Sequence, residues 1–308
     1  MLENKTFEGV NKKPFFSVVI PTYNCAKFLK RSISSVLAQT FQDFELIVVD
    51  NSSTDETGAM LKKIDDPRIS VIEVQNKGII AYSRNIGLKR AQGEWVVFLD
   101  ADDVWLSGKL ETVNAKIFEN PNVVLLCHNV WRVVYGIRKR IVSCIPSISN
   151  IHENLLFVRN CIVTSSVTLK RETAIRIGGF SERRDFVSVE DIDFWIRLSD
   201  MGQFCFIDKV LGEWHIHEDN GTKNVELHTN ASIQMGEYHM DLWLKKYPGT
   251  EEKIRMGTAR RFAGVSRALL KGKMFLKARQ YAIKSIYITP RNWKAWAVLV
   301  FSILRIPI

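Results

Sequence analysis

Three carboxylates, Asp100, Asp102 and Asp103, stand at the end of an unbroken apolar run, Trp95 to Leu99. A run of that kind needs both faces covered, which makes it a strand in the middle of a sheet whose tip opens at the ligand-binding edge. Carboxylates crowded at such a tip repel one another and raise each other's pKa unless a cation joins them, so Asp-Ala-Asp is a candidate divalent-metal site. The same residues would also serve as a solvated acidic turn with Asp103 capping the next helix. A second acidic pair, Glu190-Asp191, opens a strongly periodic helix running to about Met201. A helix dipole alone favours acids there, but a carboxylate held at a helix start is also well aimed to act as a general base. Further on, Trp214-His215-Ile216-His217 alternates as a strand with both histidines on one face. His217, closing that strand before the polar turn Glu218 to Gly221, could complete a metal site with one carboxylate.

The elements that would position these groups alternate regularly. FFSVVI (15–20) stops at Pro21-Thr22-Tyr23-Asn24 and leads to a helix from Ala26 to Ala38. FELIVV (44–49) stops at Asp50, with Ser53 and Glu56 spaced as a capping box for the following helix. A third strand, Ile69 to Val74, precedes a helix from Ala81 to Ala91, a stop at Gly93 and the strand ending at Asp100. Such β-α alternation implies a largely parallel sheet, with Pro21 to Asn24, Asp50 and Asp100 to Asp103 along one edge. After a helix near Gly108 to Asn120 come a strand at Val123 to Cys127, a hairpin about Tyr135-Gly136, and a strand over Ile162 to Leu169. No GxGxxG follows the first strand and no P-loop occurs, so side chains and a metal, not a glycine-rich phosphate cradle, must hold the ligand.

Taken in order, SVVIPTYN (17–24), ELIVVDNSSTDET (45–57), AYSRNIGLKRAQGEWVVFLDADDVW (81–105), GGF (178–180), EDIDFWIRL (190–198) and WHIH (214–217) resemble the family 2 glycosyltransferases. Each motif is weak alone; their order and spacing make the set specific, and the resemblance covers roughly residues 15–221. It implies a GT-A fold: α/β, a Rossmann-like mixed and mostly parallel sheet flanked by helices, here with a C-terminal helical extension. It further implies that a nucleotide-sugar, a UDP-sugar on family frequency, binds across the strand tips with Mg²⁺ or Mn²⁺. The sugar would pass with inversion to the hydroxyl of a carbohydrate or lipid-linked acceptor in cell-surface polysaccharide or glycolipid synthesis. By the same resemblance Pro21, Thr22 and Tyr23 would hold the nucleoside, Asp50 would accept from the base, and Arg84 would neutralise phosphate or support Asp100. Asp100 would take the ribose or a water, Asp102 the metal, and His217 the metal or the diphosphate. Asp191 would be the base, with Glu190 its neighbour. Where the family often has an arginine two places before the last histidine, this chain has His215, which weakens phosphate contact from that strand or makes it pH-dependent. Two other readings compete. A sugar nucleotidyltransferase would be expected to show a glycine-rich loop and a basic residue where this chain has PTYN. A non-catalytic nucleotide-sugar binding protein would have no need of Asp102, Asp191 and His217 together.

Composition sets the outer limits. At 308 residues, 46% hydrophobic and 25% charged, the chain can bury a sizeable core and is not a disordered polymer. Its polar start lacks the apolar run of a signal peptide, so a cytoplasmic protein is expected, and five scattered cysteines suggest reduced thiols. The net charge of +10 is concentrated: from Lys245 onward fifteen lysines and arginines face only Glu251 and Glu252, a local +13. We therefore expect three parts: a flexible N-terminus (1–14), a catalytic domain (15–225) and a basic helical region (226–308). The last would rest on the core or lie peripherally on an anionic membrane, its Trp293 and Trp296 beside Arg291 and Lys294; no nucleic-acid reading motif is present. The uncharged run Ala295 to Leu304 falls short of the roughly 18–20 residues that span a bilayer.

Overall fold

The computed structural model describes residues 13–217 and 224–307. Most of the expected flexible N-terminus and the polar turn at 218–221 lie outside the described residues. The elements follow as β1 (Phe16–Thr22), α1 (Ala26–Leu37), β2 (Phe44–Asp50), α2 (Thr57–Leu61), β3 (Ile69–Glu73), α3 (Ile80–Arg90), β4 (Trp95–Phe98), β5 (Val104–Trp105) and α4 (Lys109–Glu119). Next come β6 (Val123–Val134), β7 (Ile137–Val142), α5 (Ile151–Glu153) running into a π-helical turn (Asn154–Val158), β8 (Thr168–Lys170), α6 (Arg171–Arg176), α7 (Glu190–Ser199) and β9 (Gln203–Ile216). Four helices finish the chain: α8 (Val225–Lys246), α9 (Glu251–Lys271), α10 (Phe275–Ile288) and α11 (Trp293–Ile303).

The described strands form one mixed sheet in the order β3-β2-β1-β4-β8-β6-β9-β5, with β7 hairpinned on β6. The first four are parallel, as the alternation predicts. Because the chain moves outward from β1 to β3 and then returns to place β4 on the other side of β1, the order reverses between β1 and β4. That is where the strand tips of an open α/β sheet leave a crevice. Side chains of the central strands alternate between two cores: Val19, Ile47, Val96 and Phe98 face one, and Val18, Leu46, Val48 and Val97 the other. Helices α1 and α4 close the second core with Leu29, Ile33, Leu110 and Val113. The first is closed by α3, α7 and α8, the last through Ala231, Met235, Met240 and Trp243. A third cluster, Val265, Leu269, Ala278, Ala282 and Val298, joins α9, α10 and α11. All five cysteines are free thiols.

Two local expectations need correction. Ser53 and Glu56 make no capping box: Ser53 Oγ donates to Asp50 Oδ1 at 2.5 Å, because that carboxylate is the stronger acceptor. The short α2 begins instead at Thr57, whose N–H donates to Asp55. The run Ile162 to Leu169 is a strand only from Thr168; residues 164–166 form a 3₁₀ turn in which Ser166 Oγ donates back to Val163 O. Consecutive hydroxyl side chains offer the backbone such local partners in competition with a sheet ladder.

Between α3 and β4, Gly93 lies against β1. A Cβ on Gly93 would sit 2.7 Å from Ser17 N and 2.8 Å from Phe16 C, both backbone atoms that cannot give way. Gly93→Ala should therefore cost about 1–3 kcal/mol by overpacking, read as a lowered urea midpoint. An unchanged midpoint would show that this connection is not held against β1.

Candidate active site

Parallel pairing sets Thr22 beside Asp50 at the tips of β1 and β2. Asp50 is buried, its Oδ1 accepting from Ser53 N and Oγ, while the hydroxyl of Thr22 is buried and has no hydrogen-bond partner among the described residues. Tyr23 is 57% exposed, and Asn24, in the left-handed region at φ 47°, accepts from Thr54 N and Asp55 N. Asn24 thus ties the first tip loop to the second, a role its PTYN context alone does not reveal.

The acidic tip of β4 is organised differently from a solvated turn. Asp103 is fully buried and does not cap α4, whose N-cap is Gly108. Its Oδ2 accepts from Ser165 Oγ at 2.5 Å and its Oδ1 from His215 N at 2.8 Å. Burial, with Asp102 and Asp100 nearby, pushes the Asp103 carboxyl well above its ordinary range. Ser165 Oγ also accepts from Asp100 N, so one hydroxyl fastens two residues of the acidic tip to the 3₁₀ turn. Downstream, β5 pairs antiparallel with β9, Val104 opposite Glu213, and this register carries the end of β9 back to the tip. His217 Nε2 consequently lies 2.9 Å from Asp102 Oδ2. Burial and Asp100 raise the Asp102 carboxyl, with His217 opposing. His215 turns its Nε2 to Glu213 at 2.9 Å, and burial lowers its pKa.

From the other side comes α7, whose first turn carries Glu190 and Asp191. Buried Arg84 on α3 joins the two halves, donating to Asp100 Oδ1 at 2.8 Å and to Glu190 Oε1 at 2.7 Å. Burial acts to lower the Arg84 pKa, but Asp100 and Glu190 outweigh it and raise it. Asp191 is pushed up to about 7 by burial and by the neighbouring Glu190, with Arg84 opposing. Such a carboxylate is poised to take a proton near neutrality. Asp193, two residues on, accepts from Arg197 and pairs with His239 of α8 at 2.9 Å, so the helix that carries the acids is locked at its other side.

Among the described residues no group of three or more His, Cys, Asp or Glu side chains is placed to hold a metal unaided. Asp102 and His217, 2.9 Å apart, could together offer two ligands, and a hard divalent cation commonly takes one or two protein groups and completes its shell with substrate phosphate and water. The residues present therefore fit a cation that arrives with a diphosphate. The fastening roles of Asp103, Ser165 and Asn24 are not legible in the sequence, because hydroxyls and buried carboxylates carry no periodic signal.

The chain is similar to known proteins in sequence and in fold. A family model described as Glycosyl transferase family 2 matches residues 17–164. A UDP-Glc:alpha-D-GlcNAc-diphosphoundecaprenol beta-1,3-glucosyltransferase, WfgD of Escherichia coli, is 30% identical over 59% of this chain and 68% of its own length. The putative teichuronic acid biosynthesis glycosyltransferase TuaG of Bacillus subtilis is 42% identical over 33% of this chain, and the match spans only 41% of that relative's length. In fold, the chain is similar to S. aureus TarS 1–349 in complex with UDP-GlcNAc, with TM-score 0.62 and 19% identity over 94% of this chain and 92% of that one. It is also similar to the mannosyltransferase PcManGT from Pyrobaculum calidifontis in complex with GDP-Man and Mn²⁺, with TM-score 0.60 and 18% identity over 96% and 87%.

Removing the guanidinium of Arg84 strands a buried Glu190 carboxylate, so Arg84→Ala should cost about 3–5 kcal/mol of stability. Adding Glu190→Gln should recover part of that loss in the urea midpoint. Additive losses in the double variant would show that the two side chains do not interact.

Proposed function

Because the chain belongs to glycosyltransferase family 2, we propose that it moves a sugar from a nucleotide-sugar to an acceptor hydroxyl by single displacement, with inversion at the anomeric carbon. The observation that carries this reading is the Arg84 bridge, which holds Asp100 of the strand edge and Glu190 beside Asp191 around one buried cation. The relatives' UDP-linked sugars favour a uridine diphosphate donor. Diphosphoundecaprenol in one relative's name and teichuronic acid in another's favour a cell-surface polysaccharide or glycolipid acceptor.

In this reading Thr22, Pro21, Tyr23 and Asp50 receive the nucleoside, and Asp100 the ribose or a water. Asp102 and His217 would hold Mg²⁺ or Mn²⁺ with the diphosphate; PcManGT, a neighbour in fold, is in complex with GDP-Man and Mn²⁺. A divalent cation at that place supplies charge stabilisation for the departing diphosphate without moving a proton. Asp191 takes the acceptor proton as the hydroxyl attacks from the face opposite the leaving group. Glu190 stays ionised in its pair with Arg84, and its negative charge beside Asp191 helps to keep that carboxylate basic, with Arg84 opposing. We retain the division into a catalytic domain (15–225) and a basic helical region (226–308), with α8 spanning both by its place in the first core.

The helical region would meet an anionic membrane surface at the inner leaflet. No described helix is long and apolar enough to cross a membrane. Helix α11 packs through Ala295, Val298 and Ser302, while Trp293, Trp296, Val300 and Ile303 leave an exposed apolar stripe among Arg291, Lys294 and Arg305. Apolar insertion and basic charge are each marginal alone and effective together. Trp293→Glu with Trp296→Glu should abolish cosedimentation with phosphatidylglycerol vesicles at low salt. Binding unaltered by this change would remove the membrane reading.

Asp191→Asn should keep nucleotide binding and cut kcat by about a hundredfold or more. In the unsubstituted protein kcat/KM should rise with pH and level off above about 7, since the raised pKa keeps Asp191 protonated and unable to accept below that value. A pH-independent rate from 5 to 9, measured in steps of about one unit, would exclude Asp191 as the base. Asp102→Ala should abolish transfer that depends on Mg²⁺ or Mn²⁺ while leaving the fold intact, because it relieves carboxylate repulsion as it removes a ligand. Full activity in chelator would contradict the metal assignment.

A further inference from the structure

A cavity of about 220 Å³ lies between the π-helical turn after α5 and helices α8 and α9. Three arginines line it, Arg159, Arg260 and Arg261, with His228 and no Asp or Glu. None of the three forms an ion pair with a carboxylate among the described residues. Arg261 donates instead to Leu156 O and Ser232 O, and its buried Nε has no hydrogen-bond partner among the described residues. Burial lowers its pKa to about 10, with Glu237 opposing from further away, so it stays charged at neutral pH. Arg159 and Arg260 are exposed, and their described bonds go to carbonyls and one serine hydroxyl.

The backbone is shaped around this cluster. A Cβ at Gly236, in mid-α8, would sit 2.1 Å from Arg261 Nε, so the helix carries its least helix-favouring ordinary residue where the guanidinium lies. A π-helical turn, a rare geometry that is frequent at functional sites, leads into Arg159. The cavity is also connected to the base: Ile192, next to Asp191, lines it, and His228 Nδ1 lies 2.9 Å from Ser188 Oγ. Ser188, two residues before Glu190, is held at φ 75°.

Three arginines line the cavity with no carboxylate among its lining residues, and guanidinium groups match phosphate oxygens in both charge and fork geometry. The volume is below that of pockets enclosing drug-sized molecules and suits a phosphate or diphosphate. We infer that this cleft is a subsite for the acceptor, holding the diphosphate of a lipid-linked sugar whose hydroxyl reaches Asp191. The inference rests on the transferase reading above for the identity of the ligand, and on the arginine cluster for its place.

The test titrates inorganic pyrophosphate into the full chain by calorimetry, without divalent metal, in the unsubstituted protein, in Arg159→Ala/Arg260→Ala, in Gly236→Ala and in Asp102→Asn. Loss of charge-assisted hydrogen bonds should weaken binding by about tenfold or more in the arginine variant, and Gly236→Ala should weaken it by displacing Arg261. Asp102→Asn should bind at least as well as the parent. Farnesyl diphosphate should compete with pyrophosphate, whereas phosphatidylglycerol vesicles should not. The inference is overturned if the parent fails to bind, if binding survives in the arginine variant, if it is lost in Asp102→Asn, or if only vesicles respond to the arginines. Failure of the transferase reading is seen separately, as absence of nucleoside diphosphate release from a nucleotide-sugar panel while arginine-dependent pyrophosphate binding persists.

Discussion

One buried arginine holds the two halves of the site together. Arg84 comes from α3, Asp100 from the end of β4, and Glu190 from the first turn of α7, 106 residues further along the chain than Arg84. Burying the Arg84 guanidinium or the Glu190 carboxylate alone would be costly, and their pairing, with the partly exposed Asp100 beside them, makes it tolerable. The demand runs in both directions. The sheet must bring β4 beside β1 and α7 across the strand tips for the ions to meet, and their meeting fixes where Asp191 stands relative to the edge.

Around that bridge the chain uses neutral fasteners. The Ser165 hydroxyl secures Asp100 N and Asp103 from the same turn. The pairing of β5 with β9 does for His217 what the parallel sheet does for Thr22 and Asp50: it converts distance in sequence into adjacency at the edge. Asp103, buried and bonded on both oxygens, belongs to this scaffold more than to the ligand-facing set, and it leaves Asp102 and His217 to look outward together.

The parts legible in the sequence were those that periodicity and abrupt polarity changes mark. Apolar runs that stop at Pro21, Asp50 and Asp100 revealed the central strands and the edge that their tips share, and the helix opening at Glu190 was visible from its spacing. The less legible parts depend on partners distant in the chain. Nothing local tells Asp103 from Asp102; their different fates follow from Ser165 and His215 arriving from elsewhere. The Thr164-Ser165-Ser166 turn read as strand because its flanks are apolar, while its hydroxyls bond locally to the backbone and to Asp103. Similarly, the charge of the last quarter was plain as a sum, but that Arg260 and Arg261 line one cavity with Arg159 appears only once α9 packs on the π-helical turn.

Single displacement with a carboxylate base on the face opposite the leaving diphosphate makes one demand that no rearrangement of binding roles can satisfy otherwise: the anomeric configuration must invert. Proton NMR of the product formed from an α-linked nucleotide-sugar, recorded before mutarotation or hydrolysis, reads this directly. The account predicts a β-linked product as the first species formed. An α-linked product would contradict it, whatever donor and acceptor the enzyme proves to use.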